Sequence, residues 1–148
     1  MPDDVKGRES ARRPAPAAPA VLVIDDDPAV LDSLATLFEI HGISIATAQD
    51  GVAGLEVFRR TSPAVVLTDI IMPEQDGIGA ILQMRRERPG VKIIAMSGGG
   101  RIGKSDLLMI AKQLGANSVI QKPFDASELV ATVRGHLEPA GRLPSAIR

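Results

Sequence analysis

Short aliphatic segments alternate with amphipathic segments along most of this sequence, and this alternation restricts the fold more than any other feature. Five segments rich in Val and Ile have the length of β-strands and occupy residues 20–25, 43–47, 64–69, 91–96 and 117–121. Each is followed by a stretch whose apolar residues have helical spacing. Strands in strict alternation with helices predict a doubly wound α/β domain with a parallel sheet. The segments at 43–47 and 117–121 are the more polar ones, which predicts that they are the edge strands.

The predicted helices carry their own start signals and apolar stripes. Asp27 followed by Pro28 predicts a capped start of the first helix. In the second helix, at about 50–60, the apolar residues Val52, Leu55 and Phe58 predict the buried side. We expect the other helices at about 78–88, from 105 to the residue before Gly115, and from the capping-box pattern at 125–128 onwards.

The composition limits the classes of protein to which the chain can belong. The sequence has 148 residues, a formal net charge of −1 and no cysteine. It therefore offers no disulfide or thiolate metal site, and no general attraction to nucleic acid or acidic membranes. No apolar run approaches the roughly 18 residues of a membrane span, so we expect a cytoplasmic protein without membrane contact.

The two ends of the sequence differ in composition from its middle. Residues 1–19 include a Pro/Ala-rich stretch, and residues 139–148 have no apolar periodicity. Neither segment has enough apolar surface to order itself. We expect one folded domain at residues 20–138, between a disordered N-terminal tail and a flexible C-terminal tail.

Polar residues follow the predicted strands at the ends where doubly wound sheets bind ligands. Asp25 and Asp26 follow the first strand, Asp69 ends the third, Ser97 follows the fourth and Lys122 follows the fifth. Clustered carboxylates repel each other unless a cation neutralises them, and such oxygen ligands suit Mg²⁺. Asp69 can act as a nucleophile that forms an aspartyl phosphate, with Lys122 and Ser97 to bind the phosphoryl oxygens.

Four stretches of the sequence resemble the conserved stretches of bacterial response-regulator receiver domains, in the same order and spacing. They read VLVIDDDP, VVLTDIIMPEQDG, IIAMS and VIQKPF. The resemblance covers about residues 20–138. It implies a CheY-like, flavodoxin-like (βα)5 fold with strand order 2-1-3-4-5. It also implies a single-domain response regulator of a two-component system or phosphorelay.

The resemblance implies a phosphoryl and metal site built on four residues. Asp69 corresponds to the phosphoacceptor, which receives its phosphoryl group from a phosphohistidine. Asp26 and Asp69 are expected to contact Mg²⁺ directly, while Asp25 acts mainly through water. The main-chain carbonyl of Ile71 is expected to complete the protein ligands.

Three further positions have roles that the resemblance implies. Ser97 corresponds to the switch hydroxyl that follows the phosphoryl group, and Lys122 to the lysine that pairs with that group. Pro123 is expected to follow a cis peptide bond. Such a protein is a phosphoacceptor rather than an enzyme, although it assists its own phosphorylation and dephosphorylation.

The implied phosphodonor is a histidine kinase or a histidine phosphotransfer protein. We expect it to dock over the first helix, with Leu31 and Ala35 in the contact. Because few residues follow the folded domain, we expect signalling through protein contacts and no direct DNA binding. The expected face combines the fourth helix, the fifth strand and the fifth helix.

Two other groups of residues were considered as binding surfaces. Leu108 and Met109 lie outside the core stripe of the fourth helix and are candidates for the surface of a downstream protein target or a homodimer. Arg85, Arg86 and Arg88 form a basic cluster, which we interpret as a solvated helix face rather than a DNA site.

Two positions depart from the usual pattern of receiver domains. Val119 stands where many receivers have an aromatic switch residue, and the chain has no Tyr or Trp. We therefore expect Ser97 to move while the backbone and a loop carry the rearrangement. Ile71 is apolar where a polar residue is common, which predicts a long-lived phosphorylated state because the side chain hinders the hydrolytic water.

The segment Gly98–Ser105 matches the phosphate-binding pattern G-x-x-x-x-G-K-[ST], which makes a nucleotide-binding protein the alternative function. Nucleotide hydrolases place this motif after an early strand, whereas here it follows the fourth. We favour a loop whose glycines allow a change of shape, with Ser105 as a helix cap. A flavin-binding protein of the same fold class would not account for the acidic cluster with Lys122.

Overall fold

The structure of the chain is a computed structural model. It describes residues 18–70, 76–97 and 104–137, with the backbone alone at residues 76–77 and 104–108. The strands are Val21–Ile24 (β1), Ile45–Ala48 (β2), Val65–Asp69 (β3), Lys92–Ser97 (β4) and Ser118–Gln121 (β5). The helices are Pro28–Ile40 (α1), Gly51–Thr61 (α2), Asp76–Glu87 (α3), Lys104–Leu114 (α4) and Ala126–Leu137 (α5).

The five strands form one sheet in the order β2-β1-β3-β4-β5, and every neighbouring pair is parallel. This arrangement confirms the doubly wound α/β fold and the strand order that the resemblance implies. The more polar strands, β2 and β5, lie at the two edges as predicted. The order reverses between β1 and β3, and the crevice beyond the carboxyl ends of these strands is where such sheets bind ligands.

The sheet is covered on both faces by separate hydrophobic clusters. One cluster joins the sheet to α1 and α5, and the other joins it to α2, α3 and α4. Side chains of β1 alternate between them, with Val21 and Val23 in the first cluster and Leu22 and Ile24 in the second. All four residues of β1 are buried, which explains why this segment is entirely apolar.

Helix α2 packs against β1 through glycines. Gly51, Gly54 and Phe58 are its buried residues, whereas Val52 is 73% exposed. The predicted buried side was therefore wrong at Val52. A Cβ atom at Gly54 would lie 2.5 Å from Cδ1 of Ile24, so the missing side chain allows the helix to approach the sheet closely.

The helix starts follow the predicted capping pattern at two positions. The Asp27 carboxylate accepts a hydrogen bond from the Ala29 N–H at 2.9 Å, and Asp125 accepts one from the Glu128 N–H at 2.9 Å. These contacts confirm both predicted caps, because they satisfy N–H groups that lack a partner within the helix. Helix α4 begins at Lys104, one residue before Ser105, and the cap at Ser105 stays a prediction because its side chain lies outside the described residues.

Arg85 is a structural residue at the amino end of the sheet. Its guanidinium donates to the main-chain carbonyls of Pro89, Val91 and Gly115 and to the side chain of Asn117, at 2.6–2.9 Å. These bonds join the segment before β4 to the segment before β5. The predicted solvated face was therefore wrong for Arg85.

Arg88 is also held by contacts with its neighbours. Its guanidinium lies 4.6 Å from the centre of the Phe58 ring and donates to the main-chain carbonyl of Pro63. Burial lowers the pKa of Arg88 below its ordinary value. Arg86 is exposed, so the interpretation as a solvated face holds for that arginine of the cluster.

The predicted tails, 1–19 and 139–148, lie outside the described residues except for Ala18 and Pro19. Disorder of the first tail and flexibility of the second remain predictions. Among the helices that the structure describes, none is both long enough and apolar enough to cross a membrane.

Candidate functional site

The carboxyl ends of four strands bring polar side chains to one edge of the sheet. Asp25 directly follows β1, and Lys122 directly follows β5. Asp69 and Ser97 are the last residues of β3 and β4. Each of these four side chains lies at or directly after the last residue of its strand. Because all the strands are parallel, their carboxyl ends lie at the same edge of the sheet, and these side chains come together there as predicted.

Asp25 is fully buried, and both of its carboxylate oxygens accept hydrogen bonds. The main-chain N–H of Asp27 donates to Oδ1 at 2.9 Å, and the Lys122 ammonium donates to Oδ2 at 2.6 Å. A buried polar group needs such hydrogen-bond partners. These contacts fix the orientation of the Asp25 carboxylate.

Lys122 connects Asp25 with Asp69. Its ammonium lies 2.6 Å from Oδ2 of Asp25 and 3.2 Å from Oδ2 of Asp69. Partial burial acts to lower the pKa of Lys122, but the hydrogen bonds and negative charges of the two aspartates outweigh it, so the pKa is raised. The lysine therefore carries its positive charge at neutral pH.

Asp25, Asp26 and Asp69 each present a carboxylate oxygen, and the three oxygens lie within 4.8 Å of one another. Asp26 is exposed, while Asp25 and Asp69 are buried. A set of carboxylate oxygens that remains open to water on one side fits Mg²⁺, which keeps several water ligands. The residues present therefore fit the metal that the sequence predicts.

Ser97 is joined to the lysine through the main chain. The Ser97 carbonyl accepts a hydrogen bond from the Lys122 N–H at 2.8 Å. Ser97 itself is 1% exposed. The Lys122–Pro123 peptide bond is cis, as the resemblance implies.

Some predicted site residues are not part of the described structure. Ile71, with its predicted main-chain ligand, lies outside the described residues, as do positions 98–103 of the phosphate-binding pattern. The proposed effect of Ile71 on hydrolysis therefore remains a prediction. Of the predicted site residues, the structure brings together Asp25, Asp26, Asp69 and Lys122.

The structure corrects the predicted kinase contact and adds two features to the site. Leu31 is 4% exposed and belongs to the core, so its predicted role in docking a phosphodonor was wrong. The sequence analysis missed the Asp27 N–H that holds Asp25. It also missed Gln121, which is the register partner of Ser97. Counting residues back from the ends of β4 and β5 would have found this pairing.

A family model described as the response regulator receiver domain matches residues 21–134 of the chain. The match includes the segment Gly98–Ser105. Among curated relatives, RpaA of Synechocystis, named a DNA-binding dual master transcriptional regulator, is 30% identical over 132 residues. That alignment covers 88% of this chain and 54% of RpaA.

Solved structures show the same domain. The response regulator receiver domain of Clostridium thermocellum has a TM-score of 0.71 and 29% identity, covering 79% of this chain and 92% of that one. The CheY-like receiver domain of Methanospirillum hungatei has a TM-score of 0.71 and 26% identity, with 79% and 91% coverage. Both likenesses extend over nearly the full length of the solved domains.

The relatives contradict the expected absence of direct DNA binding. RpaA is named as a DNA-binding regulator, and the response regulator MprA of Mycobacterium is 32% identical over 79% of this chain and 50% of its own length. The chain spans about half the length of these relatives. The expectation was wrong because it was based on the small number of residues after residue 138. The relatives share this domain but are about twice as long, so that number says nothing about DNA binding.

Proposed function

Because this chain belongs to the response regulator receiver domain family, we propose that Asp69 accepts a phosphoryl group from a phosphohistidine. The donor is a histidine kinase or a histidine phosphotransfer protein. Receiver domains are phosphoacceptor modules of two-component signalling, and they bind Mg²⁺ at an acidic pocket. The observation that carries the assignment of Asp69 is its position 3.2 Å from the Lys122 ammonium and within the three-carboxylate cluster.

The proposed transfer needs no redox change and no further reactant. A carboxylate oxygen of Asp69 attacks phosphorus, so an O–P bond forms while the N–P bond to the donor histidine breaks. The imidazole nitrogen of the donor keeps the electron pair of that bond and takes up a proton from water. Such transfers depend on positioning and on neutralisation of charge, for which the cluster supplies the groups.

Asp26 and Asp69 are the residues that would hold Mg²⁺ directly, with the carbonyl of Ile71, and Asp25 would act through water. Both oxygens of Asp25 already accept hydrogen bonds, which supports its less direct part. When bound, the metal supplies positive charge that neutralises the phosphoryl oxygens.

Lys122 and Ser97 are proposed to stabilise the phosphorylated state. The ammonium of Lys122 already lies against Asp69, where it can pair with a phosphoryl oxygen. Ser97 ends the strand next to β3, and its hydroxyl is proposed to donate to another phosphoryl oxygen. Through these two residues and the metal ligands, the protein would assist its own phosphorylation and dephosphorylation.

The output is proposed to be a protein contact made by the face of α4, β5 and α5. Met109 on α4 is 59% exposed, which supports an apolar contact with a downstream target or a second copy. If the contact is a homodimer, beryllofluoride and Mg²⁺ should increase the sedimentation coefficient of the wild type, and Met109→Glu should reduce that increase. If the contact is instead made with a downstream target, the wild type and Met109→Glu should both remain monomeric.

The phosphoacceptor is tested with acetyl phosphate, Mg²⁺ and intact-mass measurement. Wild type should gain one labile phosphoryl group, and Asp69→Asn should gain none. Asp32→Asn is a matched control, because Asp32 is exposed on α1, and it should label like wild type. The proposal fails if Asp69→Asn labels as well as wild type. It also fails if wild type is labelled neither by acetyl phosphate nor by histidine kinases.

A further inference from the structure

Ser97 and Gln121 are paired across the two strands that carry the proposed switch. They are register partners in the parallel ladder between β4 and β5. Neighbouring strands lie about 4.8 Å apart, and residues paired in register point to the same face of the sheet. Gln121 therefore lies beside Ser97 at the edge of the sheet where the phosphoryl group is expected.

The positions below this pair show which face it occupies. Two residues earlier on each strand, Ala95 pairs with Val119. Ala95 is buried in the cluster formed with α2, α3 and α4, and Val119 packs against that cluster. Ser97 and Gln121 continue the same face by the alternation of the strands. On this face of the sheet, the pair Ala95–Val119 carries small aliphatic side chains, and the pair Ser97–Gln121 carries polar ones.

Gln121 has the chemical capacity to act on the hydroxyl of Ser97. Its side chain is exposed, and within the described part of the chain its carboxamide makes no hydrogen bond. A serine hydroxyl has one donor and two acceptor sites, whereas a glutamine carboxamide can both donate and accept. When the Ser97 hydroxyl donates to a phosphoryl oxygen, its own oxygen can still accept a bond from Gln121.

We propose that Gln121 is a positioning residue for Ser97, whose Nε2–H donates to Ser97 Oγ when that hydroxyl donates to the phosphoryl group on Asp69. The inference rests on the proposed function of Asp69 and Ser97. Successive hydrogen bonds in one chain polarise and strengthen each other. The contact also links the buried hydroxyl of Ser97 to the exposed side chain of Gln121 on β5. The same strand has Val119 where many receivers have an aromatic switch residue.

The test uses beryllofluoride with Mg²⁺ as the stand-in for the phosphoryl group, with the dissociation constant measured by ¹⁹F NMR. Gln121→Leu removes the carboxamide, and Gln121→Glu removes the N–H donor and adds a negative charge. Gln121→Leu should weaken beryllofluoride binding about fivefold, the effect of one hydrogen bond, and Gln121→Glu should weaken it at least as much. Gln113→Leu makes the same change at an exposed position of α4 and should bind like wild type.

A double-mutant cycle separates positioning from general structural damage. If Gln121 acts through Ser97, then Gln121→Leu should have no further effect in a Ser97→Ala background. Thermal unfolding without beryllofluoride should be the same for Gln121→Leu and Gln113→Leu. Additive effects in the cycle would contradict the inference, as would equal beryllofluoride affinities of Gln121→Leu and Gln113→Leu.

The cycle also distinguishes this inference from the proposed function. If wild type binds beryllofluoride, Asp69→Asn does not and Ser97→Ala weakens binding, the proposed site stands, and the Gln121 variants alone decide the inference. If wild type fails to bind beryllofluoride, both are overturned.

Discussion

The Lys122 ammonium lies closer to Asp25, at 2.6 Å, than to Asp69, at 3.2 Å. Asp25 is fully buried, so it depends on the lysine charge more than a surface carboxylate would. The lysine therefore has a structural part before any phosphoryl group arrives. It holds a buried carboxylate in place and at the same time lies against the proposed phosphoacceptor.

Lys122→Met should destabilise the metal-free protein by about 3 kcal/mol, because one partner of a buried ion pair is left without compensation. Mg²⁺ should restore part of the loss, since the cation replaces the missing charge. Urea unfolding with and without Mg²⁺ measures both effects. Lys112→Met removes an exposed lysine of α4 and should change the free energy of unfolding little. Equal stabilities of the two variants would show that Asp25 does not depend on Lys122.

Mg²⁺ should stabilise the folded protein through the three-carboxylate cluster. At ten times its dissociation constant, the ion should add about 1.4 kcal/mol to the free energy of unfolding. Asp26→Asn should remove most of this gain, whereas Asp32→Asn on α1 should keep it. The measurement is the thermal midpoint over a Mg²⁺ titration. A gain that survives Asp26→Asn unchanged would place the ion elsewhere.

Gly54→Ala should destabilise the protein by about 1–2 kcal/mol, because the new methyl group would lie 2.5 Å from Cδ1 of Ile24. Ile24 is itself buried, so it cannot move into open space. Gly135→Ala on α5 is the control, since a Cβ atom there meets nothing within 4 Å. It should stabilise the helix by about 0.5–1 kcal/mol. The comparison requires urea unfolding of both variants.

His136 should make the stability of the fold depend on pH. Its Nε2 lies 2.7 Å from Ser118 Oγ. Burial and the charge of Lys92 lower the pKa of His136. The unfolded chain therefore binds the proton more readily, and stability is lost as pH falls below about 6.5, the ordinary histidine value.

The pH effect is measured as the thermal midpoint between about pH 5 and pH 7, above the range where most carboxylates titrate. His136→Gln should show a smaller loss on acidification than wild type. An identical pH dependence in wild type and His136→Gln would assign the effect to other groups.

The sequence predicted the element order, the parallel sheet and the edge strands because periodicity and polarity report directly on burial, whereas the strand order came from the resemblance to receiver domains. The acidic cluster was predictable for a similar reason, since parallel strands end at one edge. The buried side of α2 was not, because hydrophobicity favours Val52 while the close approach to Ile24 selects Gly54. Gly54 has no side chain to appear in a hydrophobicity pattern, although its small size decides which side of α2 can contact the sheet.

The functions of Leu31 and Arg85 could not be predicted from residue type. Leu31 lies between Val30 and Asp32 in the sequence, and the orientation of α1 turns it, rather than its neighbours, into the core. Arg85 looks like a solvated charge until the segments before β4 and β5 are brought together. Both outcomes depend on contacts between residues distant in the sequence or on the rotation of a helix about its axis, which a local pattern does not contain.

The bonds from Arg85 have a mechanical consequence for α4. They hold the carbonyl of Gly115, at the carboxyl end of this helix, to the carbonyl of Val91. The opposite end of α4 is roughly 16 Å away, from the rise per residue of a helix of 11 residues. If α4 were displaced, we would expect these bonds to hold its carboxyl end, and a tilt of about 10° about that end would move the start of the helix by about 3 Å.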